Sequence, residues 1–297
     1  MTKPSVGLIG IGSMGWPMGL RIRQGGFPLT VYDAVPGRAD EFAKAADAKP
    51  AKTCGALARD CDIVITMLPT SREVGQVLSG ADGVLQTLRK DAIVIEMSSG
   101  LPSRTREFAV EVKAKGGILI DGPVSGGVPR AKTGDLAIMV GGEPAVIERV
   151  RPVLETMGTT ITRVGDVGTA HAMKALNNLV SAGGFLIGVE ALLIGKKFGI
   201  DSEVMVDILN ASSGMNNSTQ KKFKQYVLSR SFNAGFGLDL MVKDLGIALE
   251  LSRETATPVP FAALCRELWA AAAVTLGKGH DHTAMTKLSE HLTGFEL

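Results

Sequence analysis

The sequence predicts a two-part chain: a doubly wound, mainly parallel α/β sheet, then an all-helical half joined to it through one long helix. Three observations carry that prediction. Short runs of Ile, Val and Leu alternate with helical segments over residues 1–165. After Gly168 those runs stop and an apolar period of about 3.6 residues takes over. A Gly10-x-Gly12-x-x-Gly15 turn joins the first apolar run to the first helix. Near-continuous aliphatic strands are covered on both faces, and strand–helix alternation at this spacing gives parallel pairing.

The elements follow in order. "SVGLIG" (5–10) is a buried strand, and a helix follows from about Met14 to Gly25. "PLTVYD" (28–33) is the second strand and "GRADEFAKAA" the second helix. "DIVITML" (62–68), "AIVIEM" (92–97), "GILIDGP" (117–123) and "LAIMVGG" (136–142) continue the series, and a short strand fits at 160–164. Residues 169–198 contain no proline and predict a long helix. "SEVMVDILNAS", "TQKKFKQYVLS", "DLMVKDLGIALELSRET" and "FAALCRELWAAAAVTLG" carry the helical period onward. The boundary is expected at "VGDVG" (164–168), giving a dinucleotide-type domain over 1–165 and a helical domain over 166–297.

Bulk properties narrow the function classes. The chain has 297 residues, 45% hydrophobic and 21% charged, enough for two cores. Its net charge of +2, with no long basic run, argues against a nucleic-acid partner. Cys54, Cys61 and Cys265 show neither C-x-x-C nor a His-rich spacing, so no metal site or disulfide framework is expected, and a reducing cytoplasm fits. "SVGLIG" begins without a charged-then-apolar leader. The apolar runs read as too short or too Gly-broken to span a membrane, so no membrane association is expected.

The glycine turn carries chemistry. Gly10 permits the tight turn, Gly12 lets a pyrophosphate approach the backbone, and Gly15 allows close strand–helix packing. Ser13, Met14 and Gly15 open the helix, whose free N–H groups and partial positive charge suit phosphates. Asp33 ends the second strand, where its carboxylate can accept from adenosine ribose hydroxyls and repel a 2′-phosphate. NAD is therefore expected over NADP, with Arg38 as the group that would favour NADP. Leu68 and Pro69 follow the third long strand, and Ser98 and Ser99 the fourth. Two readings stand for these: cofactor contacts at the carboxyl edge, or a strand terminator (Pro69) and caps for the helix near Pro102 (the serines).

A second cluster lies in "GTAHAMKALNNLV" (168–180). His171, Lys174 and Asn178 share one helix face at i−3 and i+4 spacing. A semi-buried ammonium needs partners, and burial lowers its pKa from the reference of about 10.4, which suits proton exchange with an alcohol or alkoxide. The competing reading is a lysine that snorkels from a packed helix. Asp121 to Gly127 forms a glycine-containing loop whose N–H groups and Ser125 hydroxyl suit a carboxylate, against a plain turn. Lys243 in "MVKDLGIAL", beside Asp244, reads alone as a surface lysine with an apolar stem.

Together "GLIGIGSMGWPM", "DGPVSGGVPRAKTGDLAIMVGG", "GTAHAMKALNN" and "VKDLGIALE" resemble the β-hydroxyacid dehydrogenase family, typified by 3-hydroxyisobutyrate dehydrogenase, over nearly the whole chain. The resemblance implies a Rossmann-type domain followed by an all-helical domain. It implies reversible, metal-free hydride transfer between NAD(P) and a 3-hydroxy acid or its semialdehyde. It puts the catalytic lysine on Lys174, the substrate asparagine on Asn178 and carboxylate binding on Ser125, Gly126 and Gly127. It puts a lysine near nicotinamide and substrate on Lys243, and the hydroxyl by the nicotinamide ribose on Ser99, with Ser98 adjacent. "SSGLP" departs from the family's more usual Ser-Thr/Ser-Ile-x-Pro at that point. Asp33-Ala34, where NADP-using relatives carry Asn-Arg, agrees with NAD. Homodimers or homotetramers through the helical domain are also implied.

Within the enzyme class the candidate substrates are 3-hydroxyisobutyrate, glycerate/tartronate semialdehyde (2-hydroxy-3-oxopropionate), threonate, 4-hydroxybutyrate/succinic semialdehyde, or a sulfonate analogue. "SSGMNNSTQKKF" (212–223) is expected at the pocket mouth. Outside that class stand a non-catalytic dinucleotide sensor, which would not need Lys174, and an imine reductase, which usually lacks the lysine. A methyltransferase leaves the helical half unexplained.

Overall fold

The computed structural model describes residues 3–297. Nine strands form one sheet: β1 (Val6–Ile9), β2 (Leu29–Tyr32), β3 (Lys49–Pro50), β4 (Ile63–Thr66), β5 (Ile93–Glu96), β6 (Ile118–Asp121), β7 (Val124–Ser125), β8 (Leu136–Gly141) and β9 (Gly158–Gly165). The order β3-β2-β1-β4-β5-β6 is wholly parallel, with the direction of winding reversing between β1 and β4. β8 is antiparallel to both β6 and β7, and β9 runs parallel to β8. The pairs Asp121–Gly141, Val124–Ile138 and Ser125–Ala137 keep one antiparallel register, so β6 and β7 are a single strand line interrupted at Gly122–Pro123.

The helices of the sheet unit are α1 (Gly15–Gln24), α2 (Arg38–Ala46), α3 (Cys54–Asp60), α4 (Ser71–Ser79), α5 (Pro102–Ala114), α6 (Gly127–Thr133) and α7 (Pro144–Met157). Side chains alternate across a strand, so each aliphatic run feeds two cores. Leu8, Ile63, Ile65, Ile93 and Ile95 join Met18, Ile22, Phe42, Val150 and Leu154 on one face. Ile9, Val64, Val94 and Leu119 join Leu57, Val74, Leu78, Phe108 and Val112 on the other. That is why the strands read as unbroken apolar runs.

The remaining helices are α8 (Thr169–Phe198), α9 (Ser202–Asn210), α10 (Asn217–Lys221), α11 (Leu238–Glu254), α12 (Pro260–Leu276) and α13 (Thr286–Thr293), with a π-helical turn at Phe223–Leu228. The chain clusters into two compact units, the first ending at Lys174 and the second running Ala175–Leu297. In the second, Phe185, Val189 and Leu192 of α8 pack with Leu238, Met241 and Leu245 of α11 and with Cys265 and Trp269 of α12. The expectation that no run is long enough to span a membrane needs correcting. By length and mean hydropathy (1.6) α8 is long enough, and 56% of that window is buried within the fold, as in a core helix. Cys54, Cys61 and Cys265 are free and buried, and burial pushes the Cys54 and Cys61 thiols up to about 12 and about 11.

Candidate active site

Parallel register puts the sheet's functional residues along its carboxyl edge. Tyr32, Ile9, Thr66, Glu96 and Asp121 occupy one row across β2-β1-β4-β5-β6. Asp33, Gly10, Met67, Met97 and Gly122 begin the loops above it. Ligands of such sheets bind beyond this edge where the winding reverses, here between β1 and β4.

Gly10 has φ +95°, and a Cβ there would lie 2.3 Å from the Met67 carbonyl oxygen. A Cβ on Gly15 would lie 1.9 Å from the Gly10 carbonyl oxygen. A Cβ on Gly12 would meet no atom within 4 Å. Tight turn, close packing and open approach are thus each met by the expected glycine. Gly12 and Ser13 are exposed and Met14 is half-buried at the entrance to α1. Space in front of Gly12 and N–H groups at a helix start fit a pyrophosphate.

Asp33 braces the loops at this edge. Its Oδ2 accepts the Ile11 N–H at 2.8 Å, and its Oδ1 accepts the Val35 N–H at 2.8 Å. Arg38 Nη1 lies 3.5 Å from the same carboxylate. Ser98 is buried, and its hydroxyl accepts the Leu68 N–H at 2.9 Å, tying the loops after β4 and β5 together. Helix α5 starts at Pro102 with Leu101 as N-cap and no side-chain cap, so neither serine caps it. Pro69 is exposed and Ser99 half-buried at the same edge.

The start of α8 is held by a network that sequence reasoning missed. Gly168 precedes the helix and has no side chain to cap it. Asp121, at the end of β6, takes that role: its two oxygens accept the Gly168 and His171 N–H groups at 2.8 and 3.0 Å. A buried carboxylate there satisfies orphan donors and complements the helix dipole. The His171 ring lies in the same pocket. Its Nε2 is 2.6 Å from the Ser98 carbonyl oxygen and 3.0 Å from Glu96 Oε2, both acceptors, so Nε2 carries a proton. Its Nδ1 is 2.9 Å from Thr105 Oγ1. Burial pushes the Glu96 carboxyl up, opposed by the neighbouring imidazole. His171, three residues before the lysine, anchors the start of the helix.

Three residues later Lys174 is itself buried, at 8% exposure, as is Asn178 one turn on, at 6%. Neither is the solvated polar face of a packing helix. Asn178 Nδ2 donates to Asp244 Oδ2 at 2.5 Å, and its Oδ1 accepts from Asn177. Asp244 Oδ1 lies 3.2 Å from Lys243 Nζ, so one buried carboxylate holds the asparagine and pairs with the charge of the α11 lysine. Lys243 is mostly enclosed, not a surface side chain. Asp244 had a legible signal: it falls on the buried stripe Leu238, Met241, Leu245, Ala248.

Ser125 closes β7, and Gly126 (φ +130°) and Gly127 (φ +66°) turn the chain into α6. Two successive positive-φ residues need glycine.

The comparisons agree with this geometry. The family model described as the NAD binding domain of 6-phosphogluconate dehydrogenase matches residues 5–165. The model described as NAD-binding of NADP-dependent 3-hydroxyisobutyrate dehydrogenase matches residues 168–289. A 2-(hydroxymethyl)glutarate dehydrogenase from Eubacterium barkeri is 36% identical, over 98% of this chain and 97% of that one. A 2-hydroxy-3-oxopropionate reductase from Escherichia coli is 35% identical, over 98% and 99%. The structure of a Mycobacterium tuberculosis 3-hydroxyisobutyrate dehydrogenase with L-serine superposes with a TM-score of 0.88 at 28% identity, covering 96% and 99%. With both halves matched and the whole length shared, the chain belongs to the β-hydroxyacid dehydrogenase family of nicotinamide-dependent oxidoreductases.

Proposed function

We propose that this protein catalyses NAD-dependent, reversible, metal-free hydride transfer on a small 3-hydroxy acid of the 3-hydroxyisobutyrate kind, with Lys174 as general acid/base. One observation carries the reading: a buried lysine lies one turn before a buried asparagine whose amide is fixed by Asp244. Bound nicotinamide supplies the hydride acceptor, or the donor in reverse. Lys174 takes the hydroxyl proton in oxidation and returns a proton to the alkoxide in reduction. Ser125, Gly126 and Gly127 hold the carboxylate through the hydroxyl and the turned backbone N–H groups. Asn178 orients the carbinol, and positioning is a large share of such catalysis. Cofactor binding is assigned to Gly10, Gly12, Ser13, Met14, Gly15, Asp33, Leu68, Pro69 and Ser99, and, by the family resemblance, to Lys243, with Ser98 acting through the Leu68 loop that it pins.

The other acids of the family remain in the test panel: 2-hydroxy-3-oxopropionate, threonate, 4-hydroxybutyrate and sulfonate analogues. The Eubacterium barkeri relative is named for a dicarboxylate, which adds 2-(hydroxymethyl)glutarate to it. The experiment is NAD-dependent oxidation across this panel, followed at the NADH absorbance band. One acid well above the rest in kcat/KM supports the reading. A silent panel with NADH bound favours the dinucleotide-sensor reading.

NAD preference rests on Asp33. Asp33→Asn keeps an oxygen for the Ile11 N–H but loses the charge, and the NAD-to-NADP ratio of kcat/KM is expected to fall about tenfold. An unchanged ratio would hand cofactor choice to another group, Arg38 first.

Three free cysteines support a reducing, cytoplasmic compartment. The proposed assembly is a homodimer or homotetramer through the helical half. Met173, Val180, Ile187 and Ile194 recur every seven residues on α8, all exposed, with Leu176 beside them. A seam of that spacing is what a packed partner covers. Light scattering should give a multiple of 31.1 kDa, and a monomer would overturn the assembly.

A further inference from the structure

Asn178 is not the last polar group on its face of α8. Ser181 follows three residues later, about 4.5 Å along the axis, on the same side. Its hydroxyl accepts from Lys222 Nζ at 3.2 Å. Lys222 is the C-cap of α10, where the chain passes into the π-helical turn Phe223–Leu228. Phe223 beside it is fully buried against α8, and Asn216 at the other end of α10 caps that helix and donates to the Gly184 carbonyl. The short helix is therefore seated on α8 at both ends, and Lys222 is placed, not trailing in solvent.

Among the described residues Lys222 forms no ion pair, and its hydrogen-bond partner is a neutral hydroxyl. Burial pulls its ammonium down to about 8, opposed by the charge of Asp281. The Asp281 oxygens are engaged elsewhere, by the N–H groups of Gly235, Phe236 and Thr283. An ammonium has three donors, and Ser181 takes one. A half-buried cation held by one hydroxyl keeps donors free for an anion. The neighbouring lysines differ: Lys224 pairs with Asp207, and Lys221 is exposed.

We infer that Lys222, with Ser181, binds a second carboxylate at the end of the substrate remote from the reacting hydroxyl, so that short dicarboxylic hydroxy acids are the preferred substrate class. This rests on the proposed function only in taking the Asn178 face of α8 as the substrate's face. The binding step moves no electrons. An anionic oxygen accepts from the free N–H groups of the ammonium, and a second from the Ser181 hydroxyl.

The test separates binding from turnover. Glutarate and valerate, five-carbon acids with and without the second carboxylate, are titrated into the NADH-loaded protein. Wild type should bind glutarate about 10- to 100-fold more tightly than valerate. Lys222→Met, similar in length and relieved of a buried charge, should lose that difference, and Lys222→Arg should retain part of it. Equal binding of the two acids by wild type, or a glutarate preference that survives Lys222→Met, overturns the site. In parallel, kcat/KM is measured for 2-(hydroxymethyl)glutarate and 3-hydroxyisobutyrate, and their ratio should fall at least tenfold in Lys222→Met. Lys222-dependent glutarate binding with no turnover of either acid would sink the reaction and keep the site. Turnover of both without a Lys222-dependent ratio would do the reverse.

Discussion

Lys174→Ala should lower kcat by about 10²- to 10⁴-fold and leave the NADH dissociation constant within about twofold of wild type. The argument starts from the helix. Alanine is the best helix former, so α8 should keep its backbone through position 174. Its start is secured independently, by Asp121 on the Gly168 and His171 N–H groups and by the His171 ring against Ser98 and Glu96. Asn178 stays pinned by Asp244. What the substitution removes is one buried amine, the group proposed to carry the alcohol's proton. The glycine turn and Asp33, which follow β1 and β2, are untouched. Kcat from steady-state NADH formation and Kd from NADH fluorescence give the two readings separately. Partial restoration by added methylamine would tie the loss to the missing amine. A variant that turns over normally but no longer holds NADH would move Lys174 from proton transfer to cofactor binding.

Why the lysine could be found in the sequence, and its supports could not, follows from distance along the chain. Lys174 and Asn178 are four residues apart, and helical spacing alone puts them on one face. The Asp121–His171 bond joins residues fifty apart and exists because β6 ends beside the first turn of α8. Glu96 sits in "AIVIEM", a strand read from its aliphatic run, with no role given to the carboxylate. Its meaning appears only when parallel register sets it beside Asp121. The long strands were legible because burial on both faces leaves an unbroken aliphatic run. β3 and β7, two residues each, are too short for any period. The antiparallel β8 carries the same composition as its parallel neighbours, and only the β6–β7 register reveals its direction. Lys222 was quoted within a stretch assigned to the pocket mouth, yet a run of two lysines gives no sign of which one is enclosed. The expectation about run length fails at α8, where glycines do not break the helix: Gly183, Gly184, Gly188 and Gly195 all lie within it. In α8 they are packing positions: a Cβ on Gly188 would strike the Phe223 ring at 2.5 Å, and one on Gly195 the Met205 sulfur at 2.2 Å.

The turn after β1 makes the second large prediction, because two of its glycines should fail in different ways. A side chain on Gly12 meets no protein atom within 4 Å, and the residue's φ lies outside the glycine-favouring range. Gly12→Val should therefore fold normally, with a Tm within a few degrees of wild type. Its isopropyl group would fill the space in front of the helix start, and NADH affinity should drop about 100-fold, since a phosphate held off the N–H groups loses charge-assisted bonds. Gly15 faces inward. A methyl there would sit 1.9 Å from the Gly10 carbonyl oxygen, which is backbone and cannot swing aside. Gly10 is in turn held by φ +95° and by its N–H donating to the Tyr32 carbonyl at 2.9 Å. Gly15→Ala must push β1 and α1 apart, at a cost of about 1–3 kcal/mol in the sheet unit. Its Tm should fall by several degrees together with NADH affinity. Thermal melts with and without NADH separate the two. Gly12→Val should match wild type without NADH and lose the ligand-induced rise, whereas Gly15→Ala should be lower in both. If Gly12→Val keeps the full NADH-induced rise, the open space is not where the pyrophosphate lies, and the turn serves packing alone.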